Sequence, residues 1–101
     1  MFARHVVINV KKEKIDEALQ IYQTSVVPAG KSYKGYRGIY VLTDRKASKI
    51  ITISLWDSAE DTQTKETRGY FKAQAAQFRE VQMAPPVQEG LEVSFIASKT
   101  R

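Results

Sequence analysis

The residues best suited to form a ligand pocket lie where an apolar strand runs into a helix, between Lys49 and Asp61. Trp56 closes the strand, and a large aromatic side chain beside a new helix is suited to form one wall of a pocket. Ser58 is placed to accept a hydrogen bond from the first free backbone N–H groups of that helix, with Asp61 three residues further on, as in a capping box. The pattern therefore predicts a pocket walled by Trp56 at this junction.

Composition excludes two kinds of reactive centre. The chain has no cysteine, so it has no disulfide, no thiolate nucleophile and no cysteine-ligated cluster. His5 is the single histidine, which argues against a site built from several histidine ligands. We therefore predict that the protein has no metal site.

The net charge and the length of the apolar runs indicate which kinds of partner the protein could have. A net charge of +5 raises nucleic acid as a partner, but the 16 lysines and arginines are scattered over predicted turns and helix surfaces, as on a solvated basic surface. No run approaches the roughly 18 apolar residues of a membrane span. We expect neither a nucleic-acid nor a membrane partner, a cytoplasmic location in the absence of a leader pattern, and one domain over residues 1–101.

The elements that must position Trp56 follow from hydrophobic periodicity. Period-two alternation predicts four strands: Phe2–Val10, Gly35–Thr43, Lys49–Trp56 and Val87–Ala97. Helical spacing predicts one helix over the stripe from Ile15 to Val26, and a second from about Ala59 to Gln82 that Gly69 interrupts. The order β-α-β-β-α-β indicates a ferredoxin-like α+β fold, with a four-stranded antiparallel sheet and both helices on one face.

The predicted sheet is apolar on both faces, although two helices cover only one of them. In the second strand, Ile39 and Val41 point one way, and Tyr36, Tyr40 and Leu42 point the other. An exposed apolar sheet face is a liability in water, and covering it contributes roughly 25 cal/mol per Å² of apolar area. We therefore predict a two-fold homodimer with the sheets face to face.

Three runs carry a resemblance to a known family: VINVKKEK, GYRGIYVL and ITISLWDSAED. In this order and at about this spacing, they resemble the antibiotic biosynthesis monooxygenase (ABM) family over nearly the whole chain. The resemblance implies a dimeric α+β barrel. It also implies a range of activities, because some members oxidise aromatic polyketides or quinol-like substrates without a cofactor, others degrade heme, and many have no established activity.

The heme-degrading branch uses an axial histidine on the second helix. The matching run here extends from Phe71 to Ala75, and the ligand position falls on Ala75, which cannot bind iron. The second tryptophan of that branch falls near Lys65, and its first-strand asparagine falls near His5. Heme degradation is therefore not expected.

Cofactor-free oxygenation needs an aromatic-lined pocket and a polar group that helps to remove a proton and stabilises the resulting anion. On the resemblance, the predicted catalytic residues are His5, Asn9 and Trp56. The predicted substrate-binding residues are Tyr22, Tyr40, Tyr70, Phe71, Phe78 and Arg79. No cofactor is required, because the electron-rich substrate anion reacts with dioxygen itself.

Other interpretations of the same residues stay open. Trp56, Tyr22 and Phe78 fit a packed core, and Arg79 fits a solvated helix surface. No convincing acid–base pair is present. A second hypothesis is therefore a non-catalytic dimeric protein of the same fold that binds a small molecule or is stress-related. A third, single-stranded RNA binding through Tyr36, Tyr40 and Arg37, competes with dimerisation for the same sheet face.

Overall fold

The computed structural model describes residues 1–99 and shows the predicted β-α-β-β-α-β order. The four strands form one antiparallel sheet in the order β2-β3-β1-β4. Their bounds are β1, Phe2–Asn9; β2, Tyr36–Asp44; β3, Lys49–Trp56; and β4, Val87–Glu92. This is the ferredoxin-like arrangement that the periodicity predicts.

Two helical segments connect the strands on one side of the sheet. The first comprises α1 (Ile15–Ile21), a π-helical turn (Tyr22–Val26) and α2 (Val27–Gly30); the second comprises a 3₁₀ turn (Glu60–Thr62) and α3 (Lys65–Gln77). Among residues 1–99, no helix is long and apolar enough to cross a membrane.

The core lies between these helices and one face of the sheet, which we call the helix face. Alternate residues of the two central strands, β1 and β3, point into the core and are buried, as their period-two sequence pattern predicts. The buried cluster contains residues of both strands and both helical segments: Val6, Ile8, Val10, Ile15, Ala18, Tyr22, Val26, Ile50, Trp56, Tyr70, Phe78 and Val81.

The second helical segment breaks at a different place from the one predicted. Ser58 does act as a cap, since its Oγ accepts the Asp61 N–H at 3.3 Å, but the turn that it starts ends at Thr62. Thr64 then caps α3 by accepting the Thr67 N–H at 3.1 Å. The predicted interruption at Gly69 is wrong, because α3 runs through this exposed glycine, where the propensity cost of about 1 kcal/mol is tolerated.

The last strand is shorter than predicted, ending at Glu92 and not at Ala97. Its ladder with β1 pairs Glu92 with Phe2, and the Val93 N–H donates to the Met1 carbonyl at 3.0 Å. The ladder with β1 ends at this hydrogen bond. Phe95 lies past this point with 83% of its surface exposed.

A β-bulge at the start of β2 changes the face on which one aromatic residue lies. Tyr36 pairs with Trp56 and Gly38 pairs with Leu55, so Arg37 is an extra residue between them. Tyr36 therefore turns to the helix face, and its placement with Tyr40 in the prediction is wrong. The Tyr36 ring meets Trp56 edge-on, with centroids 5.4 Å apart.

The other side of the sheet, which we call the open face, is covered by nothing in residues 1–99. Its apolar residues come from all four strands and are half-buried or exposed: Val7, Tyr40, Leu42, Ile51, Ile53, Leu55, Val87 and Leu91. Tyr40 is 60% exposed and Val87 is 69% exposed. An apolar surface of this kind is unusual on a soluble monomer.

Candidate functional site

A two-lobed hollow lies between α3 and the strands β1 and β4. Its polar lobe, about 450 Å³, is bordered by Phe2, Thr62, Arg68, Glu89 and Gly90. Its apolar lobe, about 340 Å³, is bordered by Val6, Ile8, Lys72, Gln74, Ala75, Phe78 and Pro86. Arg4, Phe71 and Gln88 line both lobes and form the boundary between them. The volumes are in the range of sites for small organic ligands.

Arg4 lies at the centre of this boundary. It is half-buried on the helix face of β1, its guanidinium carbon lies 3.8 Å from the centroid of the Phe71 ring, and it donates a hydrogen bond to Gln88 Oε1. Burial lowers the pKa of Arg4 below its usual value, an effect that the nearby Tyr22 and Tyr70 partly oppose. No ion pair found within residues 1–99 includes Arg4. The hollow therefore contains a partly desolvated positive charge that has no counter-ion within ion-pair distance among the described residues.

Trp56 supports the hollow from behind. Its side chain is 0% exposed, and the Phe71 ring meets it edge-on with centroids 5.7 Å apart. Its indole Nε1–H donates to Ser54 Oγ at 3.0 Å, which satisfies the buried donor. Trp56 thus fixes the position of Phe71, the ring that a ligand would meet.

Two buried tyrosines hold the helices over the sheet. The Tyr70 hydroxyl donates to the Val26 carbonyl at 2.8 Å, and burial raises the pKa of Tyr70 above its usual value. The Tyr22 ring packs against Phe78 with centroids 4.6 Å apart, and its buried hydroxyl has no hydrogen-bond partner among the described residues. Burial raises the pKa of Tyr22 to about 12.

Tyr22→Phe tests this arrangement. At pH 7 we expect the variant's free energy of unfolding to lie within about 1 kcal/mol of the wild-type value or above it, because the substitution removes a buried unpaired hydroxyl. Above pH 10 the unfolded tyrosine loses its proton while the folded one keeps it up to about pH 12. The unfolded state then binds fewer protons, so stability falls as pH rises in this window. The variant should lose less stability than wild type between pH 9 and pH 11 in urea titrations, and equal losses would contradict this account.

The sheet separates the predicted site residues into two groups. His5 and Asn9 lie on the open face of β1 with Tyr40 on β2, opposite to the hollow. His5 Nδ1 is 3.9 Å from Glu89 Oε1, on the neighbouring strand. These three residues are therefore not brought together with Trp56.

On the helix side, Phe71 and Phe78 line the hollow. Tyr22 and Tyr70 pack in the core beside it, and Trp56 lies behind Phe71. Arg79 follows α3 as an exposed residue and borders neither lobe.

Sequence reasoning missed Arg4 and Gln88. The signal for Arg4 was present, because it is in phase with Val6 and Ile8 and so had to lie on the buried face of β1. A charged residue at such a position needs a partner or a function. Gln88 carried no comparable signal, since it becomes a site residue only through the pairing of β4 with β1.

The residues around the hollow do not fit a heme iron. Ala75 lines the apolar lobe at the position where the resemblance implies an axial histidine, and His5 lies on the other side of the sheet. Within residues 1–99, no three or more histidine, cysteine or acidic side chains are grouped so that they could hold a metal ion.

The fold and the hollow define a class: a ferredoxin-like α+β protein with a two-lobed hollow between α3 and its sheet. The chain belongs to the antibiotic biosynthesis monooxygenase family, whose sequence profile matches residues 1–77. Among curated proteins, none matches the chain significantly.

Solved structures share this fold at low sequence identity. The NE2512 protein of unknown function from Nitrosomonas europaea is 16% identical, with a TM-score of 0.74 and coverage of 99% of this chain and 95% of its own. The monooxygenase ActVA-Orf6 of Streptomyces coelicolor in complex with Nanaomycin D is 12% identical, with a TM-score of 0.76 and coverage of 98% and 92%. A mutant of MhuD with two manganese protoporphyrin IX molecules bound per active site is 19% identical, with a TM-score of 0.78 and coverage of 98% and 100%.

Proposed function

We propose that the protein is a monooxygenase of the ABM type that oxidises a small aromatic or quinone-like metabolite in the two-lobed hollow, without a bound cofactor. The observation that carries the proposal is the unneutralised Arg4 guanidinium beside aromatic rings at the centre of the hollow. Family membership and the likeness in fold to a monooxygenase holding Nanaomycin D support the same reaction class.

The chemistry needs little from the protein. For an anthrone-like ring, a C–H proton leaves, and the resulting enolate adds dioxygen and takes up a proton from water to give a hydroperoxide on that carbon. Loss of water from the hydroperoxide then leaves a carbonyl, so one oxygen atom enters the product, the other leaves in water, and the substrate supplies all the electrons. A fixed positive charge near the reacting ring stabilises the enolate in a partly desolvated site. The proton passes to water, since both lobes are open clefts.

Filling the apolar lobe tests the location of the activity. Ala75 and Ala76 are both exposed on α3, but only Ala75 borders this lobe, and Ala76 borders neither lobe. We expect Ala75→Trp to lower kcat/KM for oxygen-dependent oxidation of anthrones or quinols by about tenfold or more, because the indole occupies the space of the substrate ring. Ala76→Trp is the matched control and should retain wild-type kcat/KM. Oxygen uptake without added cofactor is the readout, and equal rates in both variants would refute the location.

The second candidate is a non-catalytic small-molecule-binding protein of the same fold. One observation favours it, namely that the hollow offers no clear general base. The lining residues include no histidine, and their one carboxylate, Glu89, lies near His5 on the open face. Binding of aromatic ligands by calorimetry, with no oxygen uptake for any anthrone or quinol, would support it over the oxygenase.

We further propose that the open face pairs with the open face of a second copy. Its apolar residues form one surface across all four strands, and a two-fold axis through it would place the same residues opposite one another. Antiparallel sheets pack face to face through such surfaces. The hollow lies on the opposite side of the sheet, so each subunit would keep its own site.

A further inference from the structure

The charges around the hollow are strongly one-sided. Arg4 lies at the boundary of the lobes, Arg68 borders the polar lobe and Lys72 borders the apolar lobe. The one acidic lining residue, Glu89, belongs to the open face by its pairing with His5, where its carboxylate lies 3.9 Å from the imidazole. Three cationic residues therefore border the hollow, and none of them belongs to an ion pair found within residues 1–99.

We propose that the natural ligand is an aromatic carboxylate, that Arg4 binds the carboxylate, and that the ring lies in the apolar lobe against Phe78. The inference rests on the proposed function, because it names the substrate class of the same hollow. It makes Arg4 the residue that binds the carboxylate, and it leaves Lys72, which borders the apolar lobe, as the positive charge beside the reacting ring.

The geometry at Arg4 suits this role. A guanidinium is planar, remains charged and presents several N–H donors that match the two oxygens of a carboxylate. Phe71 covers one face of the group and Gln88 accepts one of its hydrogen bonds, which fixes its orientation. A carboxylate bound at the boundary places an attached ring in the apolar lobe, whose walls include Val6 and Ile8.

Gln88 determines the selectivity in this arrangement. It is a neutral partner, so it orients Arg4 without cancelling the charge. A glutamate at the same position would keep the shape and the hydrogen bond but would neutralise Arg4 with a charge-assisted pair. Gln88→Glu is therefore expected to remove the preference for an acid while Arg4 stays in place.

The test compares ligands that share one ring system and carry a charged or a neutral substituent. Isothermal calorimetry at pH 7 with 2-naphthoate, 2-naphthamide and 2-naphthol should show that wild type binds the carboxylate about tenfold or more tightly than either neutral ring. Gln88→Glu and Arg4→Gln should bind all three alike. Arg45→Gln, which removes an exposed arginine paired with Asp16 at 2.7 Å, is the matched control and should keep the preference.

The outcomes separate this inference from the proposed function. Equal affinities for naphthoate and naphthamide in wild type, or an undiminished preference in Gln88→Glu, would overturn the carboxylate inference; the glutamate variant also decides the question if Arg4→Gln does not fold. Oxygen uptake with dihydroxynaphthalenes that carry or lack a carboxylate is then measured. Selective binding without any oxygen uptake would support the carboxylate inference and overturn the proposed oxygenase. Equal uptake with both compounds would support the oxygenase and overturn the carboxylate inference.

Discussion

Trp56→Ala is expected to lower the free energy of unfolding by about 3–5 kcal/mol. The Trp56 side chain is 0% exposed, and the substitution would leave a cavity beneath both Tyr36 and Phe71. It would also leave Ser54 Oγ without its indole donor in a buried environment. Small domains have total stabilities of about 5–15 kcal/mol, so this loss is a large share of the whole. Urea denaturation followed by far-UV circular dichroism measures it.

Phe95→Ala is the control for the loss of an aromatic ring. Phe95 is 83% exposed, so its replacement should change the free energy of unfolding by less than about 0.5 kcal/mol. If Trp56→Ala cost no more than Phe95→Ala, the packing of Tyr36 and Phe71 on the indole could not be what supports the hollow.

Ile53→Glu is expected to convert the proposed dimer into a monomer at micromolar concentrations. Ile53 lies in the middle of the open face, between His5 on β1 and Tyr40 on β2. In a two-fold dimer each substitution appears twice across the interface, so two carboxylates would be desolvated together. Light scattering coupled to gel filtration gives the mass directly.

Thr43→Glu is the matched control for Ile53→Glu. Thr43 is an exposed residue of β2 whose side chain belongs to the helix face, opposite Ile50. The variant introduces the same charge into the same sheet and should stay dimeric. A monomeric wild type, or an Ile53→Glu variant of dimer mass, would contradict the proposed pairing of open faces.

The order and the faces of the central strands could be predicted because each strand is long enough for its alternation to be unambiguous. Val6 and Ile8 mark the buried face of β1, and the pairing with β3 confirms it. The end of β4 could not be predicted in the same way, because the alternating run continues to Ala97 while the strand ends at Glu92. Strand length is a property of the ladder, and a single strand does not encode it.

The site was harder to predict than the fold. His5 and Asn9 were selected by residue type, although their own alternation with Val6 and Ile8 puts them on the face away from the helices. Arg4, in phase with the core, was the more informative residue. Neither Gln88 nor the division into two lobes follows from sequence, since both depend on how β4 and α3 approach β1.

The extra residue in β2 links two surfaces that otherwise serve separate purposes. If β2 paired with β3 without the bulge, Arg37 would take the place opposite Trp56, and Tyr36 would turn away from the indole toward the uncovered side. The bulge thus decides whether this aromatic ring supports the cavity or adds to the open face. In a lineage built on this sheet, a change of pairing at this corner would alter both surfaces in a single step, without any amino-acid exchange.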